Sequence, residues 1–328
     1  MLAVQCVDWG LPENLQINEV PTPEPKAKEV RITVHSAGVN FPDVLIIQKK
    51  YQFVPELPFS PGGEVAGIIS AVGSEVTHLK VGQKVIGSAT WGGYAQEVCV
   101  DAQRIIPMPE AMSFEVASAY VLAYGTSLHA LKDRAKLQAG ETLLVLGAAG
   151  GVGIAAVAIA KAMGATVIAA ASSADKLALC QEQGADHLIN VSTEDLRARL
   201  KDLTAGKGPN VIYDPVGGAL TETAFRSIAW EGRHLVVGFA AGDIPKLPIN
   251  LCLLKSADLV GVFWGAFLQR DPASTKKHLQ DLFALYLSGK VKPPVTHAYP
   301  LTQAKQALRD VLDRKVKGKV VVLPQQLK

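Results

Sequence analysis

Short apolar runs alternate with longer mixed or Ala-rich stretches through the middle of the chain. Thr142-Leu143-Leu144-Val145-Leu146 carries no charge, as a strand buried on both faces requires. The turn Gly147-Ala148-Ala149-Gly150-Gly151-Val152-Gly153 follows, and then a predicted helix from Ile154 to Met163. The same rhythm repeats downstream. Thr166 to Ala171 reads as a strand, and Asp175 to Gln183 as a helix ended by Gly184. His187 to Asn190 is a short strand before a helix, Glu194 to Leu203, with charges on its outer face. Asn210 to Asp214, His234 to Gly238 and Leu259 to Phe263 read as the remaining strands. Strands alternating with helices at this spacing predict a parallel, doubly wound sheet with right-handed crossovers.

Residues 1–120 have a different texture. Glu29 to His35, Glu64 to Ile69 and Lys84 to Gly87 are β-like runs punctuated by Pro and Gly, as in an irregular β-barrel. The tail holds an amphipathic helix (Lys277 to Leu287), a Pro-rich loop and a last strand, Lys319 to Leu323. That strand has no neighbours of its own, so it is expected to pair back with the N-terminal barrel. The predicted division is therefore a barrel domain of 1–120 completed by 266–328, and an inserted doubly wound domain of 121–265. A cofactor is expected in the cleft between them.

The glycine turn is the richest chemical signal. Its pattern, Ala148-x-Gly150-x-x-Gly153, is one glycine short of GxGxxG, so on spacing alone a plain glycine turn stays open. Between a buried strand and a helix it reads as a dinucleotide site. Gly150, Gly151, Val152 and Gly153 would let the backbone approach a pyrophosphate at the helix N-terminus. An NAD site would place Asp or Glu at the end of the second strand. Here stand Ser172 and Ser173, with Lys176 close behind, which suits the 2′-phosphate of NADP. The two serines also qualify as caps of the next helix, and both roles are compatible. Asp175 is assigned to that helix's first turn.

Composition narrows the classes. Lys+Arg 33 against Asp+Glu 30 gives a formal +3 with no basic tract, so nucleic acid is not an expected partner. Leu2 to Val7 is too short and unflanked for a signal peptide, and the Ala-rich helix contains Lys161 and is too short to span a bilayer. Cys6, Cys99, Cys180 and Cys252 are scattered, as expected of reduced thiols in a cytoplasmic protein.

Several motifs occur in one order: Ala37-Gly38-Val39-Asn40-Phe41-Pro42-Asp43, Pro61-Gly62-Gly63-Glu64-Val65-Ala66-Gly67, Val72-Gly73, Gly92-Gly93-Tyr94-Ala95, Tyr124-Gly125-Thr126, the glycine turn, and Asp214-Pro215-Val216-Gly217-Gly218. With them the chain resembles the zinc-free medium-chain dehydrogenases/reductases, and among these the NADPH-dependent quinone oxidoreductases, over nearly its whole length. The resemblance implies an α/β protein with a GroES-like barrel joined to a Rossmann domain. It also implies a homodimer formed by sheet extension near Leu259 to Phe263. Zinc-binding relatives carry Cys where this chain has Asn40, Ser or Thr at Pro42, and His at Gly63. The structural zinc lobe needs four close cysteines, and that region offers only Cys99. His35, His78 and His129 show no partner at ligand spacing. No metal site is therefore expected, and alcohol oxidation, which needs a Lewis acid, is disfavoured.

What remains is hydride donation from NADPH to an acceptor that is already electrophilic, a quinone or an enone. Asn40 is the candidate donor to the developing oxyanion; the resemblance equally implies that it orients the nicotinamide or its ribose, and a plain turn residue is the bland reading. Asp43 lines the same segment and could instead cap a helix over Val44 to Gln48. The resemblance implies that Tyr124 and Thr126, in the loop entering the Rossmann domain, face the cofactor. Gly238, Phe239 and Phe263 follow late strands, where ligands bind in open sheets. Leu45 stands where related enzymes often carry a pocket Tyr, a role Tyr51 could share, with Trp264 a further pocket candidate. Phe239 and Trp264 could equally be core or dimer contacts. The expected function is quinone reduction; the alternatives are a 2-enoyl or enone reductase and an NADPH-binding structural or regulatory protein.

Overall fold

The structure is a computed structural model describing residues 1–327. The chain groups into two compact units, Met1–Val121 with Pro293–Lys328, and Leu122–Lys292. In the first, β1 (Leu2–Gln5) and β2 (Gln16–Glu19) form an antiparallel pair. The main sheet starts with β3 (Glu29–Gly38), β4 (Glu64–Val72), β5 (Lys84–Ser88), β6 (Glu97–Asp101) and β7 (Ile105–Pro107). Alternation decides its faces: Val30, Ile32 and Val34 of β3 are fully buried in the core, while Arg31, Thr33 and His35 are only partly covered. Two register shifts between β3 and β4 bend the sheet, which makes the barrel irregular.

The second unit contains β8 (Thr142–Leu146), β9 (Thr166–Ala171), β10 (His187–Asn190), β11 (Val211–Asp214), β12 (Arg233–Val236) and β13 (Asp258–Gly261). They form one sheet in the order β10-β9-β8-β11-β12-β13, with every pairing parallel. Strand order reverses between β8 and β11, and open α/β sheets bind ligands outside the carboxyl ends of strands at such a point. Two glycine-rich turns leave the sheet there. Gly147 has φ 56°, and a Cβ on it would lie 2.7 Å from Val216 of the neighbouring turn.

The chain then returns to the first unit with β14 (Val295–Pro300) and β15 (Lys319–Leu323). The final strand pairs antiparallel with β3, as the lone apolar run suggested. It also has a parallel neighbour, β14, hidden from the sequence reading by two prolines and polar residues. The return falls at Pro293 and not at residue 266. Helices Trp264–Arg270 and Pro272–Leu287 bury Trp264, His278 and Leu282, and Trp264 and Phe267 pack on His129 within the second unit. Counting strands could not reveal that contact. Tyr124 and Thr126 lie on a helix, Val121–Leu128, and not in a loop. Gly125 fits there because a Cβ would meet the Trp264 indole at 2.6 Å. Among the described residues no helix is long and apolar enough to cross a membrane.

A Cβ at Gly153 would lie 2.4 Å from the Gly147 carbonyl oxygen and 2.9 Å from the Ala148 Cα, and backbone cannot rotate aside. Gly153→Ala should therefore cost about 1–3 kcal/mol through overpacking. In urea the midpoint should fall with the m value unchanged. An unshifted midpoint would show that this turn and helix are not in such contact.

Candidate active site

Asn40 is the N-cap of helix Phe41–Ile46, with extended backbone at φ −126° and ψ 153°. Pro42 in the first turn sets the start, since its ring fixes φ and its missing N–H is not needed there. The helix therefore starts at Phe41 and not at Val44, and Asp43, its third residue, closes a capping box on the Asn40 backbone. Asp43 lies inside the helix, where its carboxylate accepts from the Asn40 backbone N–H at 2.8 Å and from the Tyr94 hydroxyl at 3.0 Å. Asp43 is 2% exposed. Burial pushes its pKa up to about 6, against the opposing pull of the Asn40 N–H, Tyr94 and Lys319.

The Asn40 side chain is held at both ends. Its Nδ2 donates to Glu64 at 3.2 Å, and its Oδ1 accepts from the Lys319 ammonium. Lys319 also donates to the Val39 carbonyl at 3.1 Å. Glu64 and Lys319 are both buried. Burial lowers the Lys319 pKa, and the charges of Glu64 and Asp43 oppose that. Neither Glu64 nor Lys319 was singled out from the sequence, although a lysine opening the apolar run Lys319-Val320-Val321-Val322-Leu323 was the available signal. Leu45 and Tyr51 are half-buried nearby; burial, then the Asp43 charge, raises the Tyr51 pKa.

In the second unit, helix Gly151–Ala162 opens at Gly150 with no capping side chain. Its first-turn N–H groups at Gly151, Val152 and Gly153 therefore suit an anionic ligand. At the carboxyl end of β9, the Lys176 ammonium lies 3.4 Å from the Ser172 hydroxyl. Ser173 occupies the N-cap position of helix Ala174–Glu182, yet its hydroxyl donates to Asp175 rather than capping an N–H. The residues present thus fit a phosphorylated dinucleotide.

The Asp214 motif is an anchor. Its carboxylate accepts from the N–H groups of Val216 and Gly217 (2.9 and 2.8 Å), from Thr221 (2.6 Å) and from His234 (3.2 Å). Burial would raise its pKa, but these bonds outweigh that and hold it low. Gly238 is half-buried, and Phe239 and Phe263 are exposed beyond β12 and β13. Thr126 is half-buried and donates to the Leu122 carbonyl at 2.6 Å. Tyr124 is fully buried and Trp264 is 3% exposed, so both sit in the core of this unit.

A zinc ion does not fit at Asn40. Both polar ends of that side chain are engaged, and Gly63 offers no ligand atom. The expectation that His129 lacks partners is corrected: Asp133 and His278 stand against it. Asp133 lies one helical turn away, and His278 arrives from a helix distant in sequence.

Residues 26–110 match the alcohol dehydrogenase GroES-like domain, and residues 151–283 match the zinc-binding dehydrogenase family. A quinone oxidoreductase-like protein 2 homolog of Nematostella vectensis is 38% identical over 326 residues, covering 99% of this chain and 89% of the relative. The chain belongs to the quinone oxidoreductase family of medium-chain dehydrogenases/reductases. It is an oxidoreductase. The crystal structure of Escherichia coli quinone oxidoreductase complexed with NADPH superposes with TM-score 0.91 at 30% identity, covering 99% and 100% of the two chains. The CurK enoyl reductase reaches 0.87 at 28% identity, covering 98% of each chain.

Asp43 carries a pH signature. Its carboxyl titrates near 3.8 unfolded and about 6 folded, so between these values the folded chain keeps a proton the unfolded chain releases. Stability contributed by this group must then fall as pH rises from about 4 to about 6, by up to about 3 kcal/mol. Thermal melts of the wild type and Asp43→Asn across that window should converge at the acid end and diverge above it. Parallel profiles would mean that Asp43 titrates normally.

Proposed function

We propose that the enzyme transfers hydride from NADPH to a quinone, with no metal ion at the reacting centre. The observation that carries this reading is Asn40, a buried amide fixed by Glu64 on one side and Lys319 on the other. One Nδ2 proton goes to Glu64, and the second can meet an acceptor oxygen as negative charge develops on it. Because the amide is oriented beforehand, it needs no rearrangement during reaction. NADPH, when bound, supplies the hydride. Gly150, Gly151, Val152 and Gly153 would hold its pyrophosphate, and Ser172, Ser173 and Lys176 its 2′-phosphate. Gly238, Phe239, Phe263 and Thr126 are the further cofactor candidates, with Leu45 and Tyr51 on the acceptor side. The likeness in fold to an enoyl reductase favours reduction of an α,β-unsaturated carbonyl or thioester as the second reading, since conjugation also places charge on oxygen there.

A homodimer through β13 follows from the same surface. Leu259 and Phe263 are 45% and 50% exposed along that sheet edge, and an open apolar edge invites a second copy. The four free thiols support a reducing, cytoplasmic setting.

Four measurements test the proposal. NADPH should bind at least about tenfold tighter than NADH, a difference of about 1.4 kcal/mol, and Lys176→Ala should erode the preference. Equal dissociation constants in the wild type would refute the cofactor assignment. Asn40→Ala should lower kcat/KM by roughly 10²-fold, the scale of one lost preorganised donor. Dialysis against a chelator should leave quinone turnover unchanged. NADPH oxidation is followed with quinones, enones and enoyl thioesters in parallel. Tight NADPH binding without turnover of any acceptor would favour the structural or regulatory role.

A further inference from the structure

The π-helical segment His129–Arg134 carries a cluster that the chemistry above does not use. Asp133 Oδ2 lies 2.7 Å from His129 Nδ1 and 2.7 Å from His278 Nε2 of helix Pro272–Leu287. One ligand atom from each residue falls within 4.8 Å of the others. The two imidazoles are nearly buried, at 6% and 3% exposure. Asp133 is open enough to border a cavity of about 380 Å³, which Lys132, Phe267, Ser274 and His278 also line.

Protonation decides what such a cluster can hold. His278 Nδ1 lies 3.1 Å from the Ser274 carbonyl oxygen, which can only accept, so Nδ1 carries the proton. On a neutral ring Nε2 then keeps a lone pair, directed in the ring plane where an N–H would lie. Nε2 and Asp133 Oδ2 are close, but Nε2 makes no hydrogen bond in this arrangement. A proton on Nε2 would not point along the contact, whereas a metal ion set off the line between the two atoms can be shared by both.

The surroundings agree. The Ser274 carbonyl is the outer partner that fixes tautomer and ring direction in metal-bound imidazoles. Phe267 stacks on His129 at 4.3 Å and fixes the second ring. Of the cations lining the cavity, Lys132 is paired with Asp281 at 2.6 Å and Lys277 is the second; Arg134 nearby donates to the Gly261 carbonyl at 2.9 Å.

We propose that His129, Asp133 and His278 form a binding site for a divalent transition-metal ion of the zinc type. Two imidazoles and one carboxylate favour zinc over magnesium or calcium, and three protein ligands leave a place for water from the cavity. The ion would clip the π-helical segment His129–Arg134 to helix Pro272–Leu287. Its part is structural, so its removal lowers stability and leaves hydride transfer alone.

The full-length chain, freed of metal by chelator dialysis, is titrated with zinc chloride by calorimetry, and with cobalt(II) by visible absorption. One ion per chain is expected, with Kd about 1 μM or tighter. Asp133→Asn and His278→Ala should each weaken binding at least about tenfold. Zinc should raise the melting temperature of the wild type and not of His278→Ala. Circular dichroism checks that the variants fold; should His278→Ala fail, the near-isosteric Asp133→Asn carries the test. Failure to bind zinc at about 100 μM would overturn the site, as would affinities untouched by both substitutions. So would an NMR signature of a charged His278 in a chain that takes up no zinc. None of these readouts depends on quinone or NADPH activity.

Discussion

Lys319 is 2% exposed, and its ammonium must be satisfied by whatever groups the fold brings to it. Those groups are the Val39 carbonyl and the Asn40 amide, some 280 residues earlier in the chain, with the charges of Glu64 and Asp43 behind them. Removing one member of such a buried set typically costs about 3–5 kcal/mol, because the others are left unpaired away from water. The same ammonium therefore performs two tasks: it ties the final strand to the start of the first helix, and it sets which way the Asn40 amide faces. A donor whose direction is set before reaction is the kind that can stabilise developing charge.

The cofactor half depends on a different constraint, the closeness of two turns at the point where the strand order reverses. Gly147 must be glycine both for its positive φ and for its distance from Val216, and Gly153 must be small for the helix to pack on the turn. Asp214 holds the second turn with four accepted hydrogen bonds. What the sequence offers as a conspicuous motif at Asp214 is thus scaffolding for the loop beside the glycine turn. The serines and the lysine that would read the cofactor's phosphate are nearer the surface, at the end of the next strand.

The His129 cluster shows why some chemistry stays hidden in a linear reading. His129 and Asp133 are one helical turn apart, but an i, i+4 pair on a helix is common and carries little by itself. The third member arrives from a helix that the strand rhythm had assigned to the other domain. Once Trp264 and Phe267 pack on His129, that helix belongs to the second unit, and His129 meets two side chains the sequence did not single out, Asp133 and His278.

Local order was legible wherever the pattern was local. Uncharged runs such as Thr142 to Leu146 have to be buried strands, and a parallel sheet follows from their spacing with helices. The glycine turn, the serine pair and the absence of ligands at Asn40 and Gly63 needed only residue identity. Tertiary structure decided what depends on long-range pairing: β14 beside β15, the return at Pro293, and the partners of Asp43, Asn40 and His129. The physical reason is that burial and electrostatic neighbours are properties of a place. Asp43 reads in the sequence as a neighbour of Asn40 or a helix cap; its carboxyl titrates near 6 because burial outweighs the pull of the Asn40 N–H, Tyr94 and Lys319.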